Sequence, residues 1–355
     1  MADDPRILLL GAGHASLLAA RTLRAGLPRA AITLVDAGAE ARYSGMLPGT
    51  IAGHYAPDRM RTNLCGFAAR HRLDFVQGRV CGLDPVARRV SLADGRVLPY
   101  DLAALDLGSH AAMPEIPGFA RHGVPAKPID GLEARLAGAA SAVLIGGGLA
   151  GAEISLALRH RGLDPVTLIE AGPVIGSALR PRTRRHLAAA LARAGVRVIP
   201  QARVAAVRAD GVVLTDGRHI AAALTIGTAG ARAQDWPART LPVDAAGFIR
   251  VTPTLQVEGH PTLFAVGDCA AMMHAPRPKA GVFAVRQAPI LAANLIAAAT
   301  GGRLWPHHPQ RDHLRIIALG GRVALAEWRG VTLHGAWVWR WKDRIDRRFM
   351  ARLQD

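Results

Sequence analysis

One pattern constrains this chain more than any other, because it occurs twice: an apolar run, a glycine turn, a helix, and a second apolar run ending in an acid. The first copy reads Arg6-Ile-Leu-Leu-Leu-Gly11-Ala-Gly13-His-Ala-Ser16, continues with helical spacing over residues 17–25 and closes on Ile32-Thr-Leu-Val-Asp36. The second reads Ala142-Val-Leu-Ile-Gly146-Gly-Gly148-Leu-Ala-Gly151-Ala-Glu153 and closes on Val166-Thr-Leu-Ile-Glu170. Each is the strand–turn–helix–strand order of a dinucleotide-binding unit. Gly11 permits the tight turn and Gly13 lets the backbone approach a pyrophosphate, where unpaired N–H groups and the helix dipole favour an anion. Asp36 is placed for the adenosine ribose hydroxyls. Ser16 stands where the first copy would carry its third glycine, whereas the second copy keeps all three. Duplication of such a unit predicts a protein that holds two nucleotides.

The 355 residues are enough for two or three domains, and a composition 50% hydrophobic and 20% charged excludes disorder, collagen and a disulfide-stapled miniprotein. The three cysteines, Cys65, Cys81 and Cys269, fall in no CxxC spacing, so neither a disulfide framework nor a zinc knuckle is expected, and a reducing cytosol fits. The 14 histidines show no ligand spacing, and no metal is expected. Of the 44 basic residues behind the net charge of +17, only Lys127, Lys279 and Lys342 are lysines. That charge suits something acidic, but aromatics at 5% without interleaved arginines do not make a nucleic-acid groove. The opening Met-Ala-Asp-Asp is no signal peptide. The Ala/Gly/Leu-rich stretch 136–158 imitates a membrane span, but its triple glycine and Glu153 make it strand, turn and helix.

Between the fingerprints, Val90-Ser-Leu-Ala-Asp94-Gly95 and Val97-Leu-Pro-Tyr100 read as a hairpin with an Asp-Gly turn, and Leu105-Asp-Leu-Gly108-Ser109 as a strand ending at a glycine. A near copy follows the second fingerprint at Val212-Val-Leu-Thr-Asp216-Gly217 and Leu224-Thr-Ile-Gly-Thr-Ala-Gly230. Then come the apolar strand Thr262-Leu-Phe-Ala-Val-Gly267-Asp268 and a helical period over residues 279–299. The arginine- and tryptophan-rich tail has strand-like runs at 314–319 and 323–328.

Two fingerprints and a late Phe-Ala-Val-Gly-Asp, in this order, resemble the pyridine nucleotide-disulfide oxidoreductase superfamily over nearly the whole chain. Tyr43-Ser-Gly-Met-Leu-Pro-Gly49 lacks the cysteine pair of the disulfide reductases. The chain is closer to the type II NADH dehydrogenases. It is similar above all to the flavoprotein found fused to, or beside, selenide, water dikinase, on Arg42–Tyr55, Lys279–Ala288 and Trp339–Met350. The resemblance implies an α/β fold: an FAD domain (1–112 and 241–302) interrupted by an NAD domain (113–240), with a small α+β region at 303–355. It implies an FAD-dependent NADH dehydrogenase passing electrons to a separate acceptor, a quinone or a small oxidised selenium or sulfur species. The alternatives are an FAD/NADH-binding interaction protein acting with a selenophosphate synthetase, and a sulfide:quinone reductase-like enzyme.

Carried over residue by residue, Gly11, Gly13, Asp36 and Asp268 hold FAD, and Gly146, Gly148, Gly151 and Glu170 hold the nicotinamide dinucleotide. His14, Ala15, Arg42, Ser44, Val80, Gly108, Gly267, Gly281, Val282, Phe283 and Gly230 complete the expected cofactor-binding set. Three residues are the candidates for catalysis. Glu153 would lie near nicotinamide and flavin on the first helical turn, Lys127 near flavin N5, and Lys279 at the flavin N1–C2=O edge with the dipole of a helix starting after Pro278. Glu170 favours NADH over NADPH, because a carboxylate repels the 2′-phosphate, although Arg180, Arg182, Arg184 and Arg185 lie downstream. The narrow stripe Ile345, Phe349 and Leu353 makes the tail either an interfacial helix or a helix packed on the FAD domain or a second subunit. The expected setting is cytoplasmic, with peripheral membrane contact and a homodimer both open.

Overall fold

The computed structural model describes residues 4–111 and 113–354; residue 112, where the first domain boundary was expected, lies outside the described residues. The first apolar run forms the strand Arg6–Leu10, with Ile7 through Leu10 all buried. A continuous apolar run suits a parallel strand covered on both faces. It pairs in parallel with Ala31–Asp36 on one side and Leu102–Leu105 on the other. These strands centre an eight-stranded sheet that also takes in Asp74–Gln77 and, from much later in the chain, His260–Ala265. Leu105 pairs with Ala265, so the chain leaves this sheet after residue 105 and rejoins it some 150 residues later.

The excursion builds a second, all-parallel sheet of five strands. Its centre is Ala142–Ile145, flanked by Val166–Ile169 and Leu224–Gly227. Each sheet is thus organised about one glycine fingerprint. The two expected hairpins form as antiparallel three-stranded sheets, Arg89–Leu92 with Val97–Pro99 and Gly211–Leu214 with His219–Ala221.

The helix His14–Gly26 lies along the long helix Gly281–Thr300, so closely that a Cβ on Gly26 would stand 2.4 Å from Ile296. Among the described residues, Gly281–Thr300 is the one helix long and apolar enough to cross a bilayer, and half of its apolar window is buried inside the protein.

The tail is an antiparallel sheet, Arg315–Ala318, Ala324–Trp328 and Val331–Gly335, followed by the helix Ala336–Gln354. The third strand was not anticipated. Its residues, Val-Thr-Leu-His-Gly, carry only a weak alternation of their own and are recruited by pairing with the strand before them. The helix turns Phe349, Met350 and Leu353 inward, leaving Ile345 exposed at 40%. Two of the three residues in the apolar stripe are therefore packing residues of the main core, and Ile345 alone of the three faces outward.

Candidate functional site

A cleft of about 660 Å³ opens along the carboxyl ends of the first sheet's strands. Strand ends in open α/β sheets are where such crevices form. It is lined by Gly11, Gly13 and His14 of the first fingerprint, by Asp36, Arg42, Ser44 and Val80, and by Gly108, Lys127, Asp268 and Gly281. Met350 and Leu353 of the C-terminal helix complete the lining.

Within it, the carboxylate of Asp36 accepts from the N–H of Ala12 at 2.7 Å and of Gly38 at 2.9 Å. The second fingerprint repeats this arrangement: Glu170 accepts from Gly147 and Gly172, both at 2.6 Å. In both units the terminal acid is drawn onto the glycine turn, beside the helix end that attracts a phosphate. Gly11 (φ +97°) and Gly146 (φ +115°) take turn conformations that side chains disfavour. Gly151 is required by packing, since a Cβ there would stand 2.0 Å from the carbonyl oxygen of Gly146.

Asp268 follows the strand His260–Ala265 in a tight turn. Its Oδ2 accepts from the Ser109 hydroxyl at 2.9 Å and lies 3.4 Å from the Lys127 ammonium. Lys127 is thus on the cleft wall with Asp268 as its partner. Lys279 is not: its ammonium donates to the Ala270 carbonyl at 2.6 Å and sits 3.9 Å over the Phe248 ring, in a smaller adjoining cavity. The helix beyond Pro278 begins at Gly281, after an extended Ala280, and the lysine precedes the helix, pointing away from the cleft. Phe283 lines that smaller cavity too, and Val282 lines neither. Ala15 is fully buried in the first turn of the fingerprint helix, and Gly230 lies in the loop after Leu224–Gly227, outside the cleft. The Arg42 guanidinium is bound to Glu133 at 2.8 Å, with Arg61 on the same carboxylate at 2.7 Å, which ties the rim to the second unit.

Glu153 is the fifth residue of the helix Leu149–Arg161, one turn later than expected, and faces the tail rather than the cleft. It accepts from the Ala318 N–H at 2.7 Å. Close by, Asp346 accepts from the Tyr43 hydroxyl at 3.0 Å and from Lys342 at 2.6 Å, and Lys342 also donates to the Gly45 carbonyl. Burial pushes the Glu153 carboxyl up to about 7, with the Lys342 ammonium pulling it back down and the Asp346 carboxylate pushing it up. Tyr43 in turn stacks its ring 4.5 Å from Phe349, and both flank the His14 imidazole, which burial depresses to about 4. A polar cluster thus runs from Glu153 to the aromatic lid of the cleft.

The titration of Glu153 predicts a stability profile. A carboxyl raised in the folded state stabilises the fold fully below its ordinary range near 4.5, and that contribution is lost as pH rises through about 7. Glu153→Gln keeps an oxygen for the Ala318 amide and removes the charge. The variant is expected to match wild type near pH 4.5 and to exceed it at pH 8, by at most about 3 kcal/mol. Thermal unfolding at the two pH values checks this, and a constant offset between the curves would contradict it.

Asp106, in the cleft, and Lys342 and Asp346, in the neighbouring polar cluster, escaped sequence reasoning. Asp106, buried at 4% exposure, accepts from the Ser16 N–H at 2.9 Å; its only signal was an acid interrupting an apolar strand end. Lys342 and Asp346 were visible as an i, i+4 pair, but nothing local says that they face inward.

Residues 5–288 match the family described as pyridine nucleotide-disulphide oxidoreductase. An NADH dehydrogenase-like protein of Mycobacterium tuberculosis is 35% identical over 220 residues, 55% of each chain, so the chain spans about half the length of that relative. The NADH dehydrogenase-like protein YutJ of Bacillus subtilis is 29% identical over 76% of this chain and 78% of its own. The solved structure of NDH2 from Plasmodium falciparum in complex with NADH has a TM-score of 0.81 over 99% of this chain and 97% of its own, at 13% identity, a likeness of fold. With four-fifths of its length matched and both glycine turns seated on their acids, the chain belongs to the pyridine nucleotide-disulphide oxidoreductase family.

Proposed function

We propose that the chain is an FAD-dependent NADH dehydrogenase that passes electrons to a separate acceptor. The observation that carries this reading is the repeated contact of a terminal acid with a glycine turn, Asp36 on Ala12 and Glu170 on Gly147, in two units of one chain. The residues present suit the two groups. In the first unit, the cleft runs from Asp36 to Asp268, whose Oδ1 accepts no hydrogen bond among the described residues and is available to a ribityl hydroxyl. Bound FAD supplies the two-electron chemistry, taking a hydride from NADH.

The rest falls to the chain's own side chains. Asp36 and Asp268 orient the two ends of FAD, and Lys127 offsets the charge of Asp268. Glu170 takes the ribose hydroxyls of NADH and disfavours a 2′-phosphate. Arg180 does not compensate, because its guanidinium lies against Gly330 of the tail hairpin and its N–H donates to Glu327. His14, neutral at physiological pH, and the lid of Tyr43, Phe349, Met350 and Leu353 exclude water. Glu153, balanced between neutral and ionised near pH 7, holds a proton beside Lys342.

A thiol relay has no support. Cys269 is buried, donates to the Val266 and Leu105 carbonyls, and burial pushes it up to about 12; Cys65 and Cys81 are exposed and unpaired. The acceptor is then a separate species: a quinone, a small oxidised selenium or sulfur species, or a protein. The setting is cytoplasmic, with any membrane contact made by the outward Trp337, Ile345 and arginines of the last helix.

Anaerobic titration with NADH tests the reading: the flavin band is expected to bleach within the turnover time at one equivalent. A flavin that binds NADH without bleaching would leave a binding protein rather than a dehydrogenase.

A further inference from the structure

Asp106 is placed where room has been made for it from three directions. A Cβ on Gly13 would stand 2.3 Å from its carboxyl carbon, one on Gly267 2.6 Å from Oδ1, and one on Gly11 2.4 Å from its carbonyl oxygen. Glycines of two separate loops, the fingerprint turn and the Gly-Asp turn, therefore close on a single buried carboxyl. Its Oδ2 accepts the Ser16 N–H at 2.9 Å, in the first turn of the helix His14–Gly26. The same helix end lines the cleft, and by its dipole it is the end that attracts a phosphate. The Asp106 carboxyl and the phosphate of a dinucleotide held in this cleft would share one helix terminus.

We propose that Asp106 is a positioning residue for the flavin dinucleotide: neutral, it holds the fingerprint turn in the phosphate-accepting shape, and ionised, it repels the phosphates and loosens the cofactor. The proposal rests on the reading that this cleft holds FAD.

Burial raises the carboxyl to about 7 and Asp268 pushes it the same way, while the Ser16 and Ala15 amides pull it down. Asp268 and Cys269 of the Gly-Asp turn interact with it directly, His14 and Lys127 line the same cleft, and Lys279 acts on Cys269 and Asp268 from the segment before the long helix. His14, depressed to about 4, and Cys269, raised to about 12, do not titrate between pH 6 and 9. Lys279 is lowered from its ordinary value by its own burial, and the uncharged Asp106 variants separate any contribution it makes. A bound phosphate favours the neutral acid, so cofactor binding takes up a proton and weakens as pH rises through the carboxyl's range.

The test is to dilute the FAD-loaded protein at pH 6 to 9 and read released flavin by its fluorescence. The dissociation constant of the wild type is expected to rise about tenfold across that range, the equivalent of one unit of pKa difference between free and loaded protein. Asp106→Asn, which keeps an oxygen for Ser16, is expected to bind FAD with a flat profile. Asp106→Ser serves the same purpose should the amide disturb folding. A flat wild-type profile overturns the proposal, and so does the same slope in the uncharged variants, which would assign the titration to Lys279. Protein that holds no FAD at any pH would instead remove the reading on which the proposal rests.

Discussion

Asp268→Ala is expected to purify nearly colourless. The side chain is only 11% exposed and lines the cleft, with Oδ2 engaged by Ser109 and Lys127. Removing it deletes a hydrogen bond from a cofactor hydroxyl to a charged acceptor, worth about 1.5–3 kcal/mol. It also leaves the Lys127 ammonium facing the cleft without its partner. The two losses act on the same ligand, so the affinity for FAD should fall by about two decades. Asp268→Asn keeps an oxygen for Ser109 and should lose less. The measurement is the ratio of flavin absorbance to protein absorbance after gel filtration. A yellow, stoichiometrically loaded Asp268→Ala would mean that FAD does not lie against this turn.

What the sequence made legible was what depends on neighbours close in the chain. A glycine turn between an apolar strand and a helix is a local object, and so both fingerprints, their terminal acids and the two Asp-Gly hairpins were readable before any coordinates. The direction of a side chain that reaches across the fold is not local. Lys279 follows a helix-favouring proline and precedes a dipole aimed at the cleft, yet its ammonium is captured by Ala270 and the Phe248 ring, which come from other segments. The fingerprint places Glu153 on its helix but does not show that Ala318, 165 residues later, donates to its carboxylate. The tail shows the same limit. Its i, i+4 apolar spacing promised an amphipathic helix and delivered one, but the identity of the covering surface depended on Tyr43 and His14, some 300 residues upstream. Asp106 was the hardest to see. A single acid after Leu-Ala-Ala-Leu looks like a strand end, and only the convergence of Gly11, Gly13 and Gly267 on it marks the position as designed for a carboxyl.

Glu170→Ala is expected to separate the two nucleotide sites, leaving the flavin content of the protein unchanged and weakening NADH. Glu170 receives the amides of Gly147 and Gly172 at 2.6 Å each, so the substitution removes a ribose acceptor and also releases the turn that approaches the pyrophosphate. A charged hydrogen bond of about 1.5–3 kcal/mol sets the expected loss of NADH affinity at one to two decades. NADPH should lose less, because the departing carboxylate is also the group that repels its 2′-phosphate. Glu170→Gln separates the two causes: it retains an oxygen for one of the two amides and removes only the charge, so discrimination should relax while the turn stays seated. The concentration dependence of flavin bleaching by each nucleotide gives both affinities in one experiment. A wild type that already prefers NADPH would break the assignment of this acid. Of the arginines after it, Arg180 is held at Gly330, while Arg182 and Arg185 stand exposed on the helix Pro181–Arg193 and Arg184 is half-buried there. Should the wild type prefer NADPH and the Glu170 variants leave both nucleotides unaffected, the nicotinamide dinucleotide enters by a different edge of the five-stranded sheet; should the variants weaken both, the exposed arginines hold the 2′-phosphate.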